Sequence, residues 1–244
     1  MSDERAGLGV ATFGAGATLV GAVLSGPVGL LAVGATHPQP AWQGPELFAR
    51  SYHPVQTLPF FLGFVLVGGF VALVAGLHAA APPGTKGRSS AALVFTAAFA
   101  ALVFLNYVLQ TTFVPALARH YSPAEGPLLA ALTMANPRSL AWGLEMWGYG
   151  LLGVATWLVA PVFGGSRLER AAAWALVANG PASIAPAFLT ALVPGWVLSG
   201  PGLVGFALWN VLVVVLALLA LLALRERQRR GSVSPLTGAV ATPT

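Results

Sequence analysis

A single carboxylic acid inside an apolar run constrains this chain more than any other feature. Residues 136–161, NPRSLAWGLEMWGYGLLGVATWLVAP, are long and apolar enough to cross a bilayer as a helix, yet Glu145 lies within them. No other acid is embedded in an apolar run of the sequence. A carboxylate facing lipid costs on the order of 3 kcal/mol even on insertion-based scales. Glu145 is therefore expected to face a protein interior or a wet cavity, and the remaining helices must be arranged to supply one.

The remaining helices are read from hydropathy. Hydrophobic residues make up 57% of the 244 and charged residues 8%, with a mean hydropathy of +0.79, a balance that excludes a water-soluble domain of this size. Apolar runs at about 8–33, 57–80, 91–115, 139–162, 171–193 and 201–224 predict an all-α polytopic membrane bundle. It has six transmembrane helices in a single domain over residues 1–228, two longer extracytoplasmic loops, and a disordered cytoplasmic tail over 229–244. Nine Lys and Arg fall at the amino end, in the 81–90 and 164–170 connections and after the last run, against Arg50, Arg119 and Arg138 elsewhere. This bias places both termini in the cytoplasm of a multi-pass protein of the plasma (inner) membrane. Arginine outnumbers lysine 11 to 1, and with abundant Ala, Gly and Leu this composition points to a GC-rich prokaryotic genome. The net charge of +5 calls for no nucleic acid, because the basic residues cluster between spans as orientation requires. With no cysteine there is no disulfide, thiolate nucleophile or Cys-ligated metal.

Within the runs, small residues recur every four positions, at Ala17, Gly21, Ser25 and Gly29 in the first and at Gly68, Ala72, Gly76 and Ala80 in the second. Such faces let helices approach closely and would serve a helix partner or a homo-oligomer. In the 116–138 connection, Ser122 and Glu125 have capping-box spacing before a short surface helix. The fifth run is expected to break at Asn179-Gly180-Pro181, since Pro181 leaves the Val177 carbonyl without its helical donor and another group must meet it.

The polar residues inside the runs form one candidate constellation. Glu145 shares a helix face with Tyr149, and Asn106 shares one with Gln110. Asn179 and Ser183 come from the fifth run and Asn210 from the sixth, with Trp142, Trp147 and Trp209 as walls. If these faces converge, they line an outward-opening pocket. One carboxyl supplies charge and several amides supply direction, which suits a small polar or cationic ligand. The rival reading is plain hydrogen bonding between helices, worth about 0.6 kcal/mol per contact. A neutral Glu145 bonded to an amide satisfies both.

The motifs that would mark an enzyme are missing. The sequence has no HExxH, no G-x-S-x-G, no P-loop and no paired acids in a span. His37, His53 and His120 lie in outer connections and His78 near the opposite surface, so facing helices offer no matched haem ligands. No metal or other cofactor is called for. A weak internal likeness between FLNYVL and LWNVLV sets Asn106 and Asn210 in the third helix of each half, as in an inverted repeat.

At Asn136-Pro137, across AWGLEMWGY at 141–149, and at Asn179-Gly180 and Trp209-Asn210, the chain resembles a group of prokaryotic six-span integral membrane proteins. In these an NP turn, an ALExxGY-type helix, an NG pair and a WN pair occur in this order. The likeness covers the fourth to sixth runs, with a Trp and a Gly inserted before Leu144-Glu145. It implies a six-span fold and a membrane location, and carries no activity with it. Two readings stand at this point. One is binding or transport of a small ligand at Glu145, and the other is a structural or assembly subunit that uses the small-residue faces.

Overall fold

The computed structural model describes residues 2–233, and every regular element among them is helical. Five stretches are helical, long and apolar enough to cross a membrane: Glu4–Thr36, Pro54–Ala79, Pro83–Arg119, Arg167–Leu192 and Gly200–Arg230. They mark the chain as an integral membrane protein. The first comprises α1 (Ser2–Val23), a π-helical turn (Leu24–Val28) around Pro27, and α2 (Gly29–Thr36). A short α3 (Pro45–Ser51) precedes α4 (Leu58–Ala79). Then α5 (Lys86–Val108) continues through a second π turn (Leu109–Phe113) into α6 (Val114–Arg119). After α7 (Gly126–Leu132) come α8 (Leu140–Val159), α9 (Arg167–Leu192) and α10 (Gly200–Val233).

Each long helix packs on its neighbours in the chain: α1 on α4, α4 on α5, α5 on α8, α8 on α9 and α9 on α10. The last returns to α1, so the six close into a ring. Its interior holds fully buried Phe70, Phe99, Leu152, Leu176 and Leu216.

The helix with Glu145, α8, is not among the five apolar stretches. At 20 residues it is about 30 Å long, which matches the hydrocarbon thickness, so its composition sets it apart. Eleven of those residues are buried, Glu145, Tyr149, Thr156 and three glycines among them. A helix enclosed by α5 and α9 shows little to its surroundings and can carry polar groups that a lipid-facing helix cannot.

The α1–α4 contact is made of backbone. A Cβ on Gly76 would overlap the Ala11 backbone, one on Gly14 the Leu73 backbone, one on Gly21 the Leu66 backbone, and one on Gly69 the Thr18 backbone. Gly21 and Gly76, expected on faces that let another helix approach closely, are turned against each other's helices, whereas Gly68 has open space beside it. Close approach follows Gly7, Gly14 and Gly21, because helices lying nearly along one another return to the same face every two turns.

Two expectations about helix ends change. α9 runs unbroken through Pro181 and Pro186. The Val177 carbonyl that Pro181 leaves open accepts from the Trp157 indole Nε1 at 2.5 Å, so the helix continues without its own donor. Gly180 makes room, since a Cβ there would overlap the indole. Of the tail expected over 229–244, the part up to Val233 continues α10, while residues 234–244 lie outside the described residues. Near that end Glu226 pairs with Arg230 and accepts from Ser166 Oγ at 2.7 Å, and Arg227 meets Glu4 at 3.7 Å. The amino end, the 160–166 turn and the end of α10 are thereby joined at one end of the ring.

At the other end α3, α6 and α7 meet around Phe48, Val114, Ala118 and Leu129. The Ser122 hydroxyl donates to the Glu125 side chain and caps no backbone group. A 3-10 turn (Pro123–Glu125) therefore precedes α7 where a capping box was expected.

Candidate functional site

Asn106 on α5 and Gln110 in the π turn that continues it stand four apart and share a face. Gln110 falls in the π turn that precedes Pro115, and such single widened turns recur at functional sites. Glu145 and Tyr149 make the matching pair on α8. Gly148, between them, lets α5 come close, since a Cβ there would lie 2.5 Å from Val103 Cγ2.

The carboxyl of Glu145 is buried with a neutral donor on each oxygen. Asn106 Nδ2 donates to Oε2 at 2.9 Å and the Tyr107 hydroxyl to Oε1 at 3.1 Å. The Tyr149 hydroxyl lies 3.2 Å from that of Tyr107. The proton of Tyr107 goes to Glu145, so Tyr149 donates to Tyr107 and the order is Tyr149, Tyr107, Glu145. The ion pairs formed by Glu4, Glu46 and Glu226 lie on other parts of the chain, and Glu145 takes part in none of them.

The amides continue away from the carboxyl toward the chain between α7 and α8. Gln110 Nε2 donates to Asn106 Oδ1 at 3.1 Å and to the Leu132 carbonyl at 2.8 Å, while its Oε1 accepts from Met134 N at 3.2 Å. Asn106 Nδ2 also touches Met134 Sδ at 3.3 Å. The Trp142 indole donates to the Met134 carbonyl at 2.8 Å. Residues 132–134 thus form a strap over the end of the cluster, held by Gln110 from below and Trp142 from the side.

A second polar cluster lies further along α8. Asn179 Nδ2 donates to Thr156 Oγ1 at 3.2 Å and Ser183 Oγ to Asn179 Oδ1 at 3.2 Å. Trp209 Nε1 reaches both Asn179 Oδ1 and Ser183 Oγ, at 3.2 and 3.0 Å. The clusters meet through rings, Tyr149 lying edge-on to Trp209 at 4.6 Å between centroids.

The structure thus brings Glu145, Tyr149, Asn106 and Gln110 together. It sets Asn179 and Ser183 in the neighbouring cluster, and uses Trp142 to hold the strap. Trp147 packs on Phe188 and is 42% exposed, away from the carboxyl. Asn210 joins neither cluster: its Nδ2 donates to the Phe206 carbonyl of its own helix, and its Oδ1 lies against Gly26 in the first π turn. Asn106 and Asn210, paired by the internal likeness, therefore have unlike surroundings.

Four contributors escape a reading by residue type. Tyr107 reads as one more aromatic of an apolar helix. Leu132 and Met134 act mainly through backbone groups, which no side-chain pattern marks. Thr156 completes the second cluster from a position that otherwise reads as helix packing. Elsewhere, the His37 and His53 rings stack at 3.4 Å and His78 Nδ1 lies 2.9 Å from Ser89 Oγ.

Chemically the first cluster is a negative or neutral acceptor with direction. It has one carboxyl, two amides, two phenols and a thioether, and it is backed by Phe60, Phe64 and Phe99. No protein-family model, curated protein or solved structure matches the chain.

Proposed function

We propose that the chain is a six-span protein of the plasma (inner) membrane that binds or transports a small polar or cationic ligand at Glu145. In this reading α8 crosses with the five apolar stretches. The joined, arginine-bearing end of the ring lies in the cytoplasm with both termini, and α3, α7 and the strap lie outside. The ligand enters from outside once the strap moves.

One observation supports this above the others. A carboxyl is enclosed in the bundle with hydrogen-bond donors on both oxygens, each of them neutral. Such a group in a spanning helix is costly to keep and is by default a functional candidate. The amides and phenols orient it, and the surrounding aromatic rings suit a positive guest.

Purified protein in lipid nanodiscs tests the reading by thermal unfolding with sodium, potassium, ammonium or tetramethylammonium chloride at fixed pH. One of these is expected to stabilise the wild type, by about 2.7 kcal/mol at one hundred times its dissociation constant, and to leave Glu145→Gln unmoved. A wild type indifferent to all four, or a Gln variant that responds as well as the wild type, would remove the support.

A further inference from the structure

The arginine-bearing end of the ring holds positive charge that its carboxylates do not take up. Glu226 accepts from Ser166 Oγ and pairs with Arg230, Glu4 meets Arg227, and the buried Glu169 accepts from the Gly164 and Gly165 N–H groups. Among the described residues, Arg167, Arg170, Arg225 and Arg229 form no ion pair, and all four are exposed. Arg170 gives one donor to the Gly165 carbonyl at 3.2 Å, a bond that leaves its charge unmatched.

These four stand on two helices that are joined at this level. The bond from Ser166 to Glu226 fixes the start of α9 beside the end of α10. Arg167, next to Ser166, and Arg225 and Arg229, within a turn of Glu226, therefore reach the same height on the bundle. Helical spacing turns them outward. Arg167, Arg170 and Trp174 lie at positions i, i+3 and i+7 of α9, and Trp174 is 72% exposed. On α10 the half-exposed Leu218 and Leu222 lead along one face to Arg225 and Arg229.

The spacing also sets the depth. Residues 174–192 of α9 cover about 28 Å, close to the hydrocarbon thickness, so Trp174 falls where acyl chains end and Arg170 lies about 6 Å beyond it. An occupant of this face has to be anionic at the arginines and apolar one turn further in. An acidic peptide or a nucleic acid meets only the first condition, and a zwitterionic lipid only the second. An anionic phospholipid meets both, with its headgroup on the guanidiniums and its chains on Trp174 and Leu222.

We infer that the outer face of α9 and α10, at the end marked by Arg167, Arg170, Arg225 and Arg229, is a binding site for an anionic phospholipid. It shares no residue with the cluster at Glu145 and stands whether or not that cluster takes a ligand.

The test uses full-length protein in a neutral detergent, titrated with phosphatidylglycerol and with phosphatidylcholine of the same chains, the bound lipid being counted by native mass spectrometry. Phosphatidylglycerol is expected to bind at least about tenfold more tightly. Arg167→Gln, Arg170→Gln, Arg225→Gln and Arg229→Gln together should bring the two lipids within about twofold. Arg50→Gln, Arg119→Gln and Arg138→Gln together, at the opposite end, should leave the preference intact. In the wild type, which tests the site without any variant, raising ammonium acetate from about 0.05 M to about 0.5 M should cut the preference at least about threefold. Free glycerol phosphate in about hundredfold excess is expected to leave the lipid bound, because it brings no chains. Equal binding of the two lipids, a preference that survives the fourfold variant or the added salt, its loss in the opposite-end variant, or displacement by glycerol phosphate would each overturn the inference. If the fourfold variant gives no monodisperse protein, Arg167→Gln with Arg229→Gln replaces it, and an unchanged preference there overturns the inference equally.

Discussion

The α1–α4 and α5–α8 interfaces join neighbouring helices of the same ring in opposite ways. In lipid no hydrophobic force draws helices together, so contact depends on packing or on hydrogen bonds. α1 and α4 use packing, with glycines against backbone and Ala11 and Ala15 fully buried. The buried hydroxyl at this contact, Thr18 Oγ1, has no partner. α5 and α8 use Asn106, Tyr107, Glu145 and Tyr149. A backbone contact has one arrangement, whereas a hydrogen-bonded one has as many as its amides, phenols and protons allow. The first interface is suited to stay fixed, and the second to rearrange.

The largest effect expected from breaking this contrast is at Gly76. In Gly76→Leu the new side chain meets the Ala11 backbone, which cannot rotate away, and the expected cost is about 3 kcal/mol or more. Loss of the monodisperse species on size exclusion, or a collapse of the unfolding midpoint, would register it. Near-normal stability would mean that the helices part easily and that the packed interface is not fixed.

The next effect probes the polar interface. Asn106→Leu leaves Glu145 Oε2 and one Gln110 proton without partners, and the expected loss is about 2 to 3 kcal/mol. Adding Glu145→Leu should restore at least half of it, because no carboxyl is then left unmet, Tyr107 can donate to Tyr149, and Gln110 keeps its bonds to Leu132 and Met134. Denaturant unfolding of the single and double variants measures both. No recovery would show that the cluster acts by shape, like α1–α4, and the contrast would fail.

These two interfaces are legible in the sequence to different depths. Glu145, Asn106 and Gln110 stand out because each is a polar residue in an apolar run, and the spacing of Asn106 and Gln110 gives their shared face. The glycine contact is visible as small residues, but the repeat of four puts Gly68 on it. The seven-residue return of Gly7, Gly14 and Gly21 depends on how two helices lie together, which one sequence does not state. Tyr107 and the strap stay hidden because an aromatic ring is ordinary in a membrane helix and a backbone carbonyl has no letter of its own. α8 reads as a span from its length, and its greater polarity makes sense only once α5 and α9 are seen to enclose it.

A smaller effect sharpens the comparison at α8–α9, which mixes both kinds of contact. Trp157→Phe keeps an aromatic ring and removes the donor to the Val177 carbonyl, for an expected loss of about 1 to 2 kcal/mol. In a Pro181→Ala background the same change should cost less than half as much, because that substitution restores a backbone N–H that can meet the carbonyl. A double-mutant cycle on unfolding free energies gives the difference directly. Equal costs in both backgrounds would mean that the indole acts by packing on Gly180 alone.

The smallest effect belongs to Asn210, and it decides how far the polar kind of interface extends round the ring. By residue type Asn210 is as conspicuous as Asn106, being an amide in an aliphatic run. Its donor, however, returns to Phe206 of its own helix, a bond between neighbours four apart that exists whether or not another helix is near. Asn210→Leu keeps nearly the same shape against Gly26 and should change unfolding free energy by no more than about 0.5 kcal/mol, against the several-fold larger loss for Asn106→Leu. If the two variants lost equally, α10 would carry a polar contact to the first π turn, and the ring would have two adaptable interfaces where the hydrogen bonds now give it one. If Asn210→Leu is nearly silent, an amide's weight in this bundle follows the helix that receives its hydrogen bond.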